Sequence, residues 1–272
     1  MSKSKIEYVT DTWNPWIGCD PKSEGCRNCW AKREEDTRLR HLKRCGAPTA
    51  DGRYFWGGPF YQGDGVLTQP LRWKKPRRVF VGSRTDLFHP GIIRSGRLTL
   101  AFQIMELAKT QTFLVLTKRA REMLAWFDGG SPSFQWPLPN VWLGVSVEDQ
   151  TTANKRIPPL LEIPAAVRFV SAEPLLGAVD LAVPHGQGVG DLLIDGLDWL
   201  IVGGESGPGA RPMHPDWARS IRERCRAAGV PFFFKQWGET DECGFRVGKK
   251  LAGRTLDGRT WEEMPVGAHE TL

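Results

Sequence analysis

Six short segments of one design constrain this chain more than anything else in it. Each is an apolar, β-branched or aromatic run that ends abruptly in polar residues: RVFVGSRTD (78–86), TFLVLTKR (112–119), NVWLGVSVE (140–148), VRFVSAEP (167–174), DWLIVGGES (198–206) and VPFFFKQWG (230–238). Short unbroken apolar runs fit strands buried on both faces, which belong to parallel sheets covered by helices. Helical patterns fill most of the gaps. Leu98, Phe102 and Met105 recur at helical spacing behind a candidate cap at Ser95. The stretch from Thr117 to Asp128 gathers Met123, Leu124 and Phe127 on one side, and Trp217, Ile221 and Cys225 form a stripe between Pro215 and Gly229. Cys225 therefore reads as a core residue.

This alternation predicts one α/β domain over residues 1–238, best explained by a full or partial parallel β/α barrel. An open doubly wound sheet would share the pattern. Residues 45–71, rich in Gly, Pro and aromatics, read as an ordered insertion, and residues 239–272 as a C-terminal appendage of weak periodicity.

Both architectures collect their chemistry where strands end. Those ends carry Ser83 and Asp86; Lys118 and Arg119; Ser146 and Glu148; Ser171 and Glu173; Gly203, Gly204 and Glu205; and Lys235. Glycines let a ligand approach the backbone, and the Glu205 carboxylate suits an ammonium group. Lys118, Arg119 and Lys235 suit a carboxylate or phosphate of a substrate. His89 reads as a residue that holds a loop rather than an acid or base.

The segment TWNPWIGCDPKSEGCRNCWAK concentrates three of the six cysteines, Cys19, Cys26 and Cys29, with spacing C-x6-C-x2-C. Thiolates are soft ligands that suit iron–sulfur clusters and zinc. Three cysteines on a four-iron cluster leave one iron without a protein ligand. A structural zinc site wants four ligands, with His41 or Cys45 as candidates for the fourth. Spacing alone leaves both metals open. Trp13 and Asn14 precede the loop and are placed to shape it.

The opening MSKSKIEYVTDTW lacks the apolar stretch of a secretory signal, and no apolar run approaches the roughly 20 residues of a membrane span. A cytoplasmic protein without membrane contact is expected, and clustered cysteines there argue against a disulfide framework. The net charge of +6 is compatible with an anionic partner. Arg72, Lys74, Lys75, Arg77 and Arg78, with Trp73 among them, suit DNA or RNA, or equally a solvated loop.

A three-cysteine loop after the first extended segment resembles the radical S-adenosylmethionine superfamily, although the first gap is six residues rather than the common three. A broader resemblance runs through TWNPWIGC…GCRNCWA, VGSRTDLFH, LVLTKRA, VWLGVSVEDQ, RFVSAEPLLG, IVGGESGPGARPM and FFFKQWG. These look like the successive blocks of an uncharacterised, phage-associated family grouped with those enzymes and distantly like spore photoproduct lyase. The resemblance implies a 4Fe–4S cluster on Cys19, Cys26 and Cys29, bound S-adenosylmethionine and an external one-electron donor. It implies cofactor contacts from Gly203-Gly204-Glu205 and from Ser83, Asp86, Ser146, Glu148, Ser171 and Glu173. The substrate it points to is a nucleic acid base or nucleotide, modified or repaired, with a peptide or a small metabolite as the near alternative. The competing expectation is a zinc-stapled nucleic-acid-binding protein without catalysis.

Overall fold

The computed structural model describes residue 4 and residues 6–37, 58–129, 134–184 and 192–265. His41, Cys45 and residues 45–57 of the expected insertion lie outside the described residues. The fold is mixed α/β, with a seven-stranded sheet of order β1-β4-β5-β6-β7-β8-β9. These strands are Asp11–Trp13 (β1), Arg77–Val81 (β4), Gln111–Thr117 (β5), Val141–Ser146 (β6), Val167–Ala172 (β7), Trp199–Gly203 (β8) and Phe232–Gln236 (β9). All six apolar runs are strands. Trp16–Ile17 (β2) and Phe60–Tyr61 (β3) pair antiparallel as a separate ribbon. Sheet order follows chain order without reversal, so the topological switch point of a doubly wound sheet is absent from it.

The described residues divide into two compact units, one ending at Trp142 and one beginning at Leu143. In the first, β1 pairs parallel with β4 and β4 with β5. Trp13, Phe113, Phe88, Phe102 and Met105 are fully buried there. Helix α4 (Arg97–Leu107) supplies Leu98, Phe102 and Met105 to this core, as its spacing predicts. Its N-cap is Gly96 rather than Ser95. Ser95 ends the short helix α3 (Pro90–Arg94), where its hydroxyl donates to the Ile92 carbonyl and accepts from the Arg97 amide. Helix α5 (Ala120–Asp128) begins three residues later than the apolar pattern suggests, because Thr117 still belongs to β5.

In the second unit β7, β8 and β9 pair parallel. Helix α6 (Gln150–Leu161) opens with a capping box: the Asp149 carboxylate accepts from the Thr152 amide, and the Thr152 hydroxyl accepts from the Asp149 amide. Helix α7 (Pro215–Ala228) buries Ala218, Ile221 and Cys225 and ends at Gly229 in the left-handed conformation. Burial and the Glu263 carboxylate push the Cys225 thiol up to about 12, as befits an inert core thiol.

The C-terminal residues are more closely integrated than their weak periodicity suggests. Leu256 and Trp261 are buried. The Phe234 amide donates to the Trp261 carbonyl, the Glu263 amide to the Phe232 carbonyl, and the Trp199 indole to the Glu263 carbonyl. Residues 261–263 thus occupy hydrogen-bonding groups of β9, the last strand of the sheet, which would otherwise present an open edge.

Candidate functional site

The cysteine loop leaves β2 and reaches helix α1 (Trp30–Thr37) through a single turn of 3-10 helix, Glu24–Cys26. Cys19, Cys26 and Cys29 are free thiols of intermediate burial. The Lys22 amide donates to the Cys26 sulfur at 3.4 Å, and the Cys29 carbonyl accepts from the Arg33 amide in the first turn of α1.

Side chains at the carboxyl ends of β1, β4 and β5 brace this loop. The Asn14 Oδ1 accepts from the Ser83 hydroxyl and the Arg84 amide, both at 3.1 Å. The Thr85 hydroxyl donates to the Gly18 carbonyl at 2.6 Å, and the Gly18 amide donates to the Arg84 carbonyl. Just past Cys19, the Asp20 carboxylate accepts from the Gly58 amide and lies 2.8 Å from His89 Nε2. His89 Nδ1 accepts from the Gly91 amide, which leaves Nε2 as the donor toward Asp20. His89 therefore holds the loop, as expected. Burial pulls the Asp20 carboxyl upward, but the His89 and Gly58 hydrogen bonds and the charges of His89 and Arg119 outweigh it, holding it below its usual range.

Arg119 follows β5 and is buried. Its Nη2 donates to the Asp20 carbonyl at 3.2 Å, the same oxygen that the Cys19 thiol approaches at 3.5 Å. Lys22, further along the loop, is paired with Glu122 of α5 at 2.7 Å. Cys19 is pushed up to about 12 by burial and by the Asp86 carboxylate, with Arg119 acting in the opposite direction.

Several side chains expected to bind ligand are engaged within the protein. Asp86 accepts from the Thr117 hydroxyl at 2.6 Å and from the amides of Phe88 and Lys118, so it fastens the end of β4 to the end of β5. In the second unit Glu148, only 1% exposed, forms a buried pair with Arg156 at 3.0 Å, and Arg156 also donates to the Ser146 carbonyl. Glu205 accepts from Arg211 Nη2 at 2.6 Å, from Nε at 2.9 Å and from its amide at 3.0 Å. Gly204 and Gly238 permit two chain segments to cross. A Cβ on Gly204 would stand 1.8 Å from the Trp237 carbonyl oxygen, and one on Gly238 would stand 2.1 Å from that of Glu205. The Gly203-Gly204-Glu205 segment thus has a packing role in full view.

A more accessible polar group in the second unit joins the ends of β7 and β9. Lys235 Nζ lies 2.5 Å from Glu173 Oε2, and the Ser171 hydroxyl donates to Glu173 Oε1. Glu173 and Lys235 are each 15% exposed, and Gly203 lies alongside Glu173.

The basic segment 72–78 stands at the amino end of β4, the edge opposite the cysteine loop. Arg72 donates to the Gly65 carbonyl, Arg77 pairs with Asp11 and lies over the Trp73 ring, and buried Arg78 donates to the Tyr8 carbonyl. Lys74 and Lys75 remain exposed.

Among the described residues no three His, Cys, Asp or Glu side chains stand arranged to hold a metal ion. The donor type of the loop is the soft thiolate, which suits an iron–sulfur centre or zinc. The loop offers three free thiols, one of them already accepting an amide hydrogen bond, with a buried guanidinium beside the first.

Fold and loop together define a parallel α/β protein with a three-cysteine loop braced at the carboxyl ends of its first strands. Residues 3–265 match the family model described as Protein of unknown function (DUF5131), and the chain belongs to that family. No curated protein and no solved structure matches it. No helix among the described residues is long and apolar enough to cross a membrane.

Proposed function

We propose that the protein is a radical S-adenosylmethionine enzyme whose Cys19, Cys26 and Cys29 hold a 4Fe–4S cluster. When bound, that centre supplies one-electron reductive cleavage of S-adenosylmethionine, yielding methionine and, after hydrogen abstraction from a substrate, 5′-deoxyadenosine. The observation that carries this reading is the set of three free thiols on one loop, fastened by Asn14, Thr85, His89 and Arg119 at the strand edge where parallel α/β proteins place their chemistry. The uninterrupted strand order supports a partial β/α barrel of the kind such enzymes use.

The chain's own part is to position and to shield. Asn14 and Thr85 fix the approach to Cys19, and His89 with Glu122 restrains the residues after it. In the second unit, Glu173 and Lys235 are the pair to test for ligand contact, because Glu148 and Glu205 already hold arginines.

A nucleic acid base or nucleotide remains the proposed substrate class, on the family resemblance. The basic segment adds little to it, because Arg77 and Arg78 serve the fold and the segment lies at the opposite strand edge.

Anaerobic purification followed by metal analysis tests the reading. The protein should be brown, with iron and sulfide in near-equal amounts, and Cys19→Ala should lose the colour. Stoichiometric zinc in a colourless protein would instead establish the zinc-stapled binding protein, with His41 or Cys45 to be examined as its fourth ligand.

A further inference from the structure

We infer that Arg119 is the charge-compensating residue of the cysteine loop, a buried cation that stabilises an anionic metal–thiolate centre and raises its reduction potential. The inference rests on the cluster reading and reassigns Arg119 from substrate to centre. Three features of its placement carry it.

The first is proximity. The Asp20 carbonyl oxygen is met by Arg119 Nη2 and also approached by the Cys19 thiol, so the guanidinium and that sulfur share one neighbour. The second is burial. Arg119 is 6% exposed, and a guanidinium stays protonated even there. The third is unused hydrogen-bonding capacity. Arg119 Nε is buried without a hydrogen-bond partner among the described residues.

Two carboxylates stand within ion-pair distance of that charge, but neither answers its N–H donors. Asp86 Oδ2 lies 3.9 Å from Nε and Glu122 Oε1 lies 3.8 Å from Nη1, beyond hydrogen-bond reach. Asp86 is already engaged by Thr117, Phe88 and Lys118, and Glu122 by Lys22. Burying a guanidinium is costly unless its charge and donors are answered.

A centre of iron, sulfide and three thiolates is anionic and becomes more so on reduction. A fixed buried cation therefore favours the reduced state. Removing the charge must make reduction harder, whereas a lysine retains the charge while losing the planar fork.

The test uses anaerobically purified full-length wild type, Arg119→Lys and Arg119→Gln. Iron and sulfide are measured per chain, the midpoint potential is followed by paramagnetic resonance, and folding by circular dichroism. Arg119→Gln should shift the reduced-to-oxidised ratio at fixed potential at least tenfold toward oxidised, a fall of about 59 mV for a one-electron couple. Arg119→Lys should recover most of that shift. If Arg119→Gln cannot retain the centre, retention by Arg119→Lys supports the inference, and loss from both overturns it. An Arg119→Gln protein with wild-type iron content and potential overturns it while leaving the cluster reading intact. A wild type that carries zinc or no metal overturns both.

Discussion

Gly204 shows how a ligand motif and a packing motif can look alike in a sequence. A glycine pair before a glutamate suits a bound ammonium, yet Gly204 lies against the backbone of Trp237 and Glu205 is gripped by Arg211. Gly204→Ala should therefore destabilise the protein by about 3 kcal/mol or prevent folding, since the new Cβ meets backbone that cannot swing aside. Chemical denaturation of the metal-free protein measures this, and a change in ligand binding at unaltered stability would contradict the packing role. His89 makes a similar case. It caps α3 and meets Asp20 at 2.8 Å, so His89→Ala should cost about 1–2 kcal/mol, read as a lower unfolding midpoint.

At the scale of elements, what the sequence revealed follows from how locally each feature is encoded. The six strands were legible because burial on both faces writes itself as a continuous apolar run, seen in β6, where every residue is buried. Helix α6 was obscured by Pro158 and Pro159 in its last turns, which lack the amide a helix interior uses; its capping box was the available signal. The β2–β3 ribbon was illegible, because two-residue strands carry no periodicity. The cysteine loop announced itself by residue type. Its bracing did not, because Asp20 meets His89 and Arg119 across long stretches of chain that spacing cannot register. For the same reason Asp86 looked available in sequence, its partner Thr117 lying 31 residues on; Glu148 looked available although Arg156 is only eight residues away, because the pair joins a strand end to a helix rather than sharing one element's periodicity.

Helix α7 offers an electrostatic test at this scale. Arg219 and Arg222 hydrogen-bond the Asp257 carboxylate, hold it below its usual range and fasten a turn where Asp257 adopts a φ of 52°. A depressed folded value means that this contribution is complete above the unfolded value of about 3.9 and disappears as pH falls through the folded one. Asp257→Asn keeps a side chain tolerant of that conformation while removing the charge. Its thermal midpoint should lie below wild type at neutral pH, reflecting a loss of under about 1 kcal/mol for so exposed a pair. The two curves should converge below about pH 4. A gap that persists unchanged into acid would show that shape rather than charge sets the effect.

In the whole molecule, a parallel α/β fold carries one chemically distinctive loop at the ends of its first strands. The most direct measurement is incubation of the anaerobically purified, reduced protein with S-adenosylmethionine, followed by chromatography of the products. Wild type should give 5′-deoxyadenosine and methionine, and Cys26→Ala neither. A protein with its full complement of iron and sulfide that leaves S-adenosylmethionine intact, with or without candidate nucleic acids present, would contradict the proposed activity.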